Sequence, residues 1–290
     1  MKVIGFLNSS SNDSIFQALV NSLRDGLKEN GFVEGQNVQI VSEWANGKYP
    51  DLPKLARSLV ERQVDVIATT GGTVAAQAAV KATKTIPVLF ISGFDPGKAG
   101  LLKPGNATGV NVATTESVPD RLAILRHLAP DAKKVAVLLR PGTFVFAREK
   151  EQAYKARLIV VQAKEASDLP EAFASAVKKG AQGLIVCADP FLTSQSATIV
   201  ALANEHKLPT VYPWRQYTSD GGLASFGPNL SNAYFQVGAY AGMILKGIKP
   251  GALSVQRTKS VEFELAVNRE TAKSLNLSIP NEWARRAVLV

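Results

Sequence analysis

The chain has 290 residues, 46% hydrophobic and 20% charged, which is long enough for two domains and too apolar for disorder. A formal charge of +9 comes with no Lys/Arg run and no basic-aromatic stripe, which argues against a nucleic-acid binder and leaves a weak preference for anionic partners. One cysteine, Cys187, excludes an intramolecular disulfide; with only two histidines beside it a metal site is not expected, and no apolar run approaches the ~20 residues that span a bilayer.

Met1-Lys2 leads straight into residues 3–7, an apolar strand too short for the core of a signal peptide. The expectation is either a cytoplasmic protein or a chain that starts at its mature residue. Six small polar residues follow, Asn8 to Asp13, with Asp13 or Ser14 placed to cap a helix over 14–30. Phe16, Leu19, Val20, Leu23 and Leu27 keep helical spacing there, and Gly31 ends the helix. Strands are expected at 38–41, 64–68, 87–91 and 108–112, with helices at 52–63 and from 74 to 82 and a short helical piece at 97–102. Near-continuous apolar strands alternating with helices imply a parallel sheet covered on both faces.

A second set of units starts at residue 119. Helices are expected at 119–128, 146–156, 170–179 (capped by Asp168) and 191–206, and strands at 134–139, 157–162, 183–187, 209–212 and 221–226. Cys187 ends one of these strands and reads as core packing. A long helix follows at 229–246, then an alternating strand at 261–267 and a helix at 270–275 capped by Asn268. The fold class is therefore α/β, two doubly wound parallel-sheet lobes. If the helix at 229–246 packs back on the first lobe, the chain crosses between lobes three times. The first lobe is then residues 1–113 plus 228–262, and the second 114–227 plus 263–290.

In open α/β sheets ligands gather beyond the carboxyl ends of the strands. The first lobe places three small polar loops there, 8–13, 69–73 and 92–96. The turn Thr69-Thr70-Gly71-Gly72-Thr73 joins a strand to a helix whose first amides lack partners and whose dipole favours an anion. We read Thr70, Gly71, Gly72 and Thr73 as a cradle for a ligand carboxylate, with Asn8, Ser9, Ser10 and Asp95 beside it. The bland alternatives are a tight connection, a solvated loop and helix caps. The second lobe offers Arg140, Phe144, Asp189, Trp214 and Phe226 at its strand ends, aromatic and charged where the first is hydroxylic. Asp189 is either a cap or a partner for an ammonium group, and Trp214 either packs or stacks on a ring. Arg215 and Asp220 read as a pair within their loop, outside the site, and neither His127 nor His206 has a role.

The chain resembles the substrate-binding proteins of ABC importers with the type I periplasmic-binding fold, in their tryptophan/tyrosine-type branch. The resemblance runs nearly end to end, through Val3-Ile-Gly-Phe-Leu-Asn-Ser-Ser10, Asp65-Val-Ile-Ala-Thr-Thr-Gly-Gly-Thr73, Asp95-Pro96, Ala188-Asp-Pro-Phe191, Tyr212-Pro-Trp-Arg215, Phe226-Gly-Pro228 and Phe263-Glu-Leu-Ala-Val-Asn268. It implies two lobes closing on a small ligand by a hinge motion, export to the periplasm, a permease and an ATPase as partners, and no chemistry on the ligand. It implies an aromatic amino acid as ligand; an Arg at residue 140, which could pair a second ligand carboxylate or stack on a ring, widens this to a related aromatic acid. One departure stands out: the family usually has Asn-Pro where this chain has Arg140-Pro141.

Two other function classes compete. A cytoplasmic ligand-sensing or regulatory core shares this fold, but such proteins carry an N-terminal helix-turn-helix and this sequence opens on a strand. An α/β enzyme would show a nucleophile elbow, a P-loop, a dinucleotide fingerprint or metal-ligand spacing, and the sequence has none of them. A non-enzymatic binder without cofactor, monomeric, is the expectation.

Overall fold

The structure, a computed structural model, describes residues 1–143, 145–257, 263–284 and 287–290. In chain order the first elements are β1 (Lys2–Asn8), α1 (Ser14–Glu29), β2 (Val38–Trp44), α2 (Leu52–Glu61), β3 (Val66–Thr69), α3 (Gly72–Ala82), β4 (Val88–Ser92) and β5 (Ala107–Asn111). Then come α4 (Val118–Leu128), β6 (Val135–Leu139), α5 (Phe146–Lys155), β7 (Ile159–Gln162), α6 (Leu169–Lys178), β8 (Gly183–Val186), α7 (Pro190–Ser194), α8 (Ser196–Glu205), β9 (Thr210–Tyr212), α9 (Arg215–Ser219) and β10 (Ala224–Pro228). The last are α10 (Leu230–Leu245), β11 (Gln256–Arg257), β12 (Phe263–Val267), α11 (Arg269–Ser274), α12 (Asn281–Ala284) and β13 (Val288–Leu289). Two compact units divide the chain: Met1–Ala113 with Leu230–Val261, and Thr114–Asn229 with Glu262–Val290. Among the described residues no helix is long and apolar enough to cross a membrane.

The first unit is built on a sheet ordered β11-β5-β4-β3-β1-β2, with every pairing parallel. The order reverses between β1 and β3, so the β-α units wind outward in both directions from that seam. Asp13 caps α1 by accepting from the Phe16 amide at 3.1 Å, and Phe16, Leu19, Val20, Leu23 and Leu27 form its buried face. Helix α10 returns from the second unit's sequence to pack on α1. A Cβ on Gly238 would sit 2.0 Å from the Leu23 carbonyl oxygen, and one on Gly26 would sit 2.0 Å from that of Phe235. The two helices therefore touch backbone to backbone, and only hydrogen at these positions permits it. Full burial of core side chains such as Phe6 and Leu23 stabilises the unit by roughly 1.5–3 kcal/mol each.

The second unit's sheet is ordered β13-β12-β10-β9-β8-β6-β7. Its parallel part, β7 through β10, repeats the first unit's arrangement, with the reversal between β6 and β8. Strand β12 extends it antiparallel to β10, and β13 pairs parallel to β12.

Several local expectations are corrected. The helix expected over 191–206 is two helices, because the chain turns at Gln195 and the Ser196 hydroxyl is held by the Asp220 carboxylate at 2.7 Å. Residues 97–102 form turns, with Gly100 at φ 75° breaking any helix. The Asp168 carboxylate folds back onto the amides of Lys164 and Glu165 and makes no bond into α6. Arg215 pairs with Glu264 at 2.9 Å rather than with Asp220.

Candidate ligand-binding site

In the first unit, the loop after β1 and the turn between β3 and α3 meet at the carboxyl end of the β1/β3 seam. Asn8, Ser9 and Ser10 are buried there, as are Thr70 and Thr73. Asn8 joins the two loops: its Oδ1 accepts from the Ser10 amide at 2.8 Å, and its Nδ2 donates to Thr70 Oγ1 at 3.1 Å and lies 3.4 Å from the Tyr234 hydroxyl. Ser9 donates its hydroxyl to the Gly71 carbonyl at 2.7 Å. Gly71 is required by this packing, since a Cβ there would lie 2.2 Å from the Ser9 nitrogen. The expectation that both glycines admit a ligand is thus modified. Gly71 admits the protein's own backbone, and Gly72 supplies a left-handed turn at φ 73°.

Helix α3 begins at Gly72, and its N-cap position, Gly71, makes no side-chain cap bond. The first-turn amides therefore receive no capping oxygen from that residue, and the positive end of an 11-residue helix faces the strand ends. Thr73 is oriented by Ser92, hydroxyl to hydroxyl at 2.9 Å. Asp95 stands after the next strand, where its carboxylate caps a turn by accepting from the Lys98 amide at 2.9 Å. That bond holds its pKa below the ordinary value.

The second unit repeats the plan at its β6/β8 seam with different chemistry. Arg140 follows β6, and Asp189 precedes α7. Asp189 Oδ1 accepts from the amides of Phe191 at 2.9 Å and Leu192 at 3.2 Å, so it is an N-cap. Arg140 Nε lies 4.0 Å from the same oxygen. Trp214 donates its indole N–H to Thr193 Oγ1 at 3.0 Å, and Thr193 in turn donates to the Asp189 carbonyl at 2.9 Å. One chain of contacts thus brings Arg140, Asp189 and Trp214 together. Phe226 stands apart, its ring against Phe263 at 5.2 Å on the edge of the hydrophobic core. Phe144 lies outside the described residues.

The sequence reading missed two buried charged groups beneath this seam. Arg121 is fully buried and donates to the carbonyls of Thr114 at 3.2 Å and Phe226 at 3.4 Å, residues close to two of the chain's crossings between units. Its signal was available: Val118, Arg121, Leu122 and Leu125 share the apolar face of one helix. Glu149 is buried as well. Burial, reinforced by the Asp189 carboxylate and opposed by the Arg121 guanidinium, pushes its pKa up to about 8. Burial likewise pushes the Cys187 thiol up, and the residue lies in the second unit's core, as expected from the sequence.

A family model described as ABC transporter substrate binding protein matches residues 2–290. The chain belongs to that family. Among curated relatives, this substrate-binding protein is 29% identical over 260 residues to the "Tyrosine-binding protein" of Clostridioides difficile (strain R20291), covering 87% of this chain and 74% of that one. Among solved structures it matches a conserved domain protein from Vibrio cholerae with a TM-score of 0.88 at 27% identity, covering 99% of each chain. It also matches an ABC domain in complex with L-Trp from Streptococcus pneumonia, with a TM-score of 0.84 at 23% identity over 100% of this chain and 99% of that one. The architecture of this substrate-binding protein is the type I periplasmic-binding-protein fold.

Proposed function

We propose that the chain is the extracytoplasmic solute-binding protein of an ABC importer, serving a membrane permease and its ATPase from the periplasm as a monomer. It binds one small carboxylate-bearing ligand, an aromatic amino acid or a related aromatic acid, and does no chemistry on it. The ligand lies between the two units, which close on it about the three crossings. The observation that carries this reading is the repeated placement of polar, inward-held residues at a topological switch point, once at β1/β3 and once at β6/β8. The first unit presents the start of α3, with Thr70, Gly71, Gly72 and Thr73, to the ligand carboxylate, with Asn8, Ser9 and Ser10 shaping the floor and Asp95 at the rim. The second presents Trp214 as a flat face for a ring, with Arg140 and Asp189 beside it. The names of the Clostridioides relative and of the L-Trp complex support the ligand class.

A thermal-shift screen of amino acids, aromatic acids, sugars and nucleotides tests the reading. Aromatic carboxylates are expected to raise Tm. No shift with any of them, alongside a rise with sugars or nucleotides, refutes it.

A further inference from the structure

The seam in the second unit carries a charge arrangement that decides between the two ligand classes. Arg140 and Asp189 are both withdrawn from solvent, with side chains 6% and 11% exposed, and Nε stands 4.0 Å from Oδ1. The guanidinium is held from a second side by the Phe191 ring, whose centroid is 5.3 Å from Cζ, within cation–π range. Arg140 is thus fixed against α7 and is not a mobile surface cation. Asp189 Oδ1 also accepts two backbone amides at the start of α7. That oxygen thus already holds two hydrogen bonds and has a cation beside it.

A ligand ammonium brought to Asp189 therefore meets a guanidinium at its side, in a setting where like charges are weakly screened. Among the described residues, the other charged groups near the seam do not reverse this. Arg121 is a second buried cation beneath the seam, and Glu149, the other nearby carboxyl, keeps its proton at neutral pH because its pKa is raised to about 8. Arg140 then stands against Asp189 with no further negative charge supplied by Glu149.

Resting on the ligand reading above, we infer that Arg140 is a specificity-determining residue that makes this protein a receptor for aromatic acids lacking an α-ammonium group, and not for aromatic amino acids. The carboxylate goes to the start of α3 and the ring to Trp214. The Arg140–Asp189 pair is a neutral wall that needs no cation from the ligand.

Matched pairs test this: L-tyrosine with 3-(4-hydroxyphenyl)propionate, and L-tryptophan with 3-(indol-3-yl)propionate, titrated calorimetrically at neutral pH. The expected result is at least tenfold tighter binding of the acid without the ammonium. Arg140→Asn is expected to shrink that preference at least tenfold, and Arg140→Lys, which keeps the charge, to retain it. An amino acid bound as tightly as its partner, or a preference unmoved in Arg140→Asn, overturns the inference alone. Should Arg140→Asn fail to fold, Arg140→Gln, which keeps more of the side chain and removes the charge, takes its place with the same expected loss, and a preference unmoved in it overturns the inference. Binding of no member of either pair overturns the ligand reading itself, and the inference with it.

Discussion

Asn8 donates its amide to Thr70 across the β1/β3 seam at 3.1 Å, and through that bond the two loops that bracket the start of α3 hold one another in place. Both residues are buried, so neither polar group can turn to water for a substitute. Asn8→Ala removes the bonds that Asn8 makes to the Thr70 hydroxyl and to the Ser10 amide, and with them the link between the loops. We expect it to destabilise the protein by about 1–3 kcal/mol in urea denaturation and to weaken ligand binding beyond that loss. A variant as stable as wild type would show that the loops are held by other contacts.

The backbone contact between α1 and α10 sets a second expectation. Gly238→Ala places a methyl 2.0 Å from the Leu23 carbonyl oxygen, so the helices must separate. The cost should be about 1–3 kcal/mol, seen as a lower urea midpoint. Exposed Gly251, where a Cβ meets nothing within 4 Å, serves as the control and should tolerate alanine.

Glu149 makes stability depend on pH in a direction opposite to most carboxylates. Its ordinary value is 4.5 and its folded value about 8, so between these limits the folded state binds a proton that the unfolded state has released. Stability must then fall as pH rises through that window, by at most about 1.4 kcal/mol per pH unit, and level off above it. Glu149→Gln removes this contribution. The stability of the variant relative to wild type is expected to grow from pH 5 to pH 8, measured by urea midpoints at each pH. A constant difference across that range would mean that Glu149 is ionised in the fold.

Trp214 is anchored through Thr193 to the backbone of Asp189, which makes it a reporter fixed at the second seam. Trp44 packs among Phe6 and Phe16 in the first unit's core and should report little. Trp214→Phe is expected to abolish the fluorescence change on ligand addition while leaving binding within about tenfold, since a ring remains to stack. A change that persists in Trp214→Phe would assign the signal elsewhere.

The two seams were readable in the sequence because each is made by local pattern: an apolar run that ends abruptly in small polar residues. Asn8 to Ser10, Thr69 to Thr73 and Asp189-Pro190 all follow such runs, and a parallel sheet brings their ends to one edge. The cap on α1 by Asp13 was readable for the same reason. What escaped depends on partners distant in sequence. Gly71 looked like an opening for a ligand, yet Ser9 fills that space. Arg121 and Glu149 look like ordinary helix-surface charges until α4 and α5 are packed beneath β6 and β8. The break at Gln195 arises because Asp189 starts one short helix while Asp220, far along the chain, holds the start of the next.

Thr73→Asp tests most directly whether a ligand carboxylate sits at the start of α3. A carboxylate in the first turn suits the helix dipole, so the fold should survive, but it occupies the place and repels the charge of an anionic ligand. Calorimetric titration of wild type and variant with the tightest aromatic carboxylate from the screen is the measurement. We predict one equivalent bound by wild type and at least a hundredfold loss of affinity in Thr73→Asp, with its ligand-free Tm within a few degrees of wild type. Undiminished affinity in a folded Thr73→Asp would contradict the account.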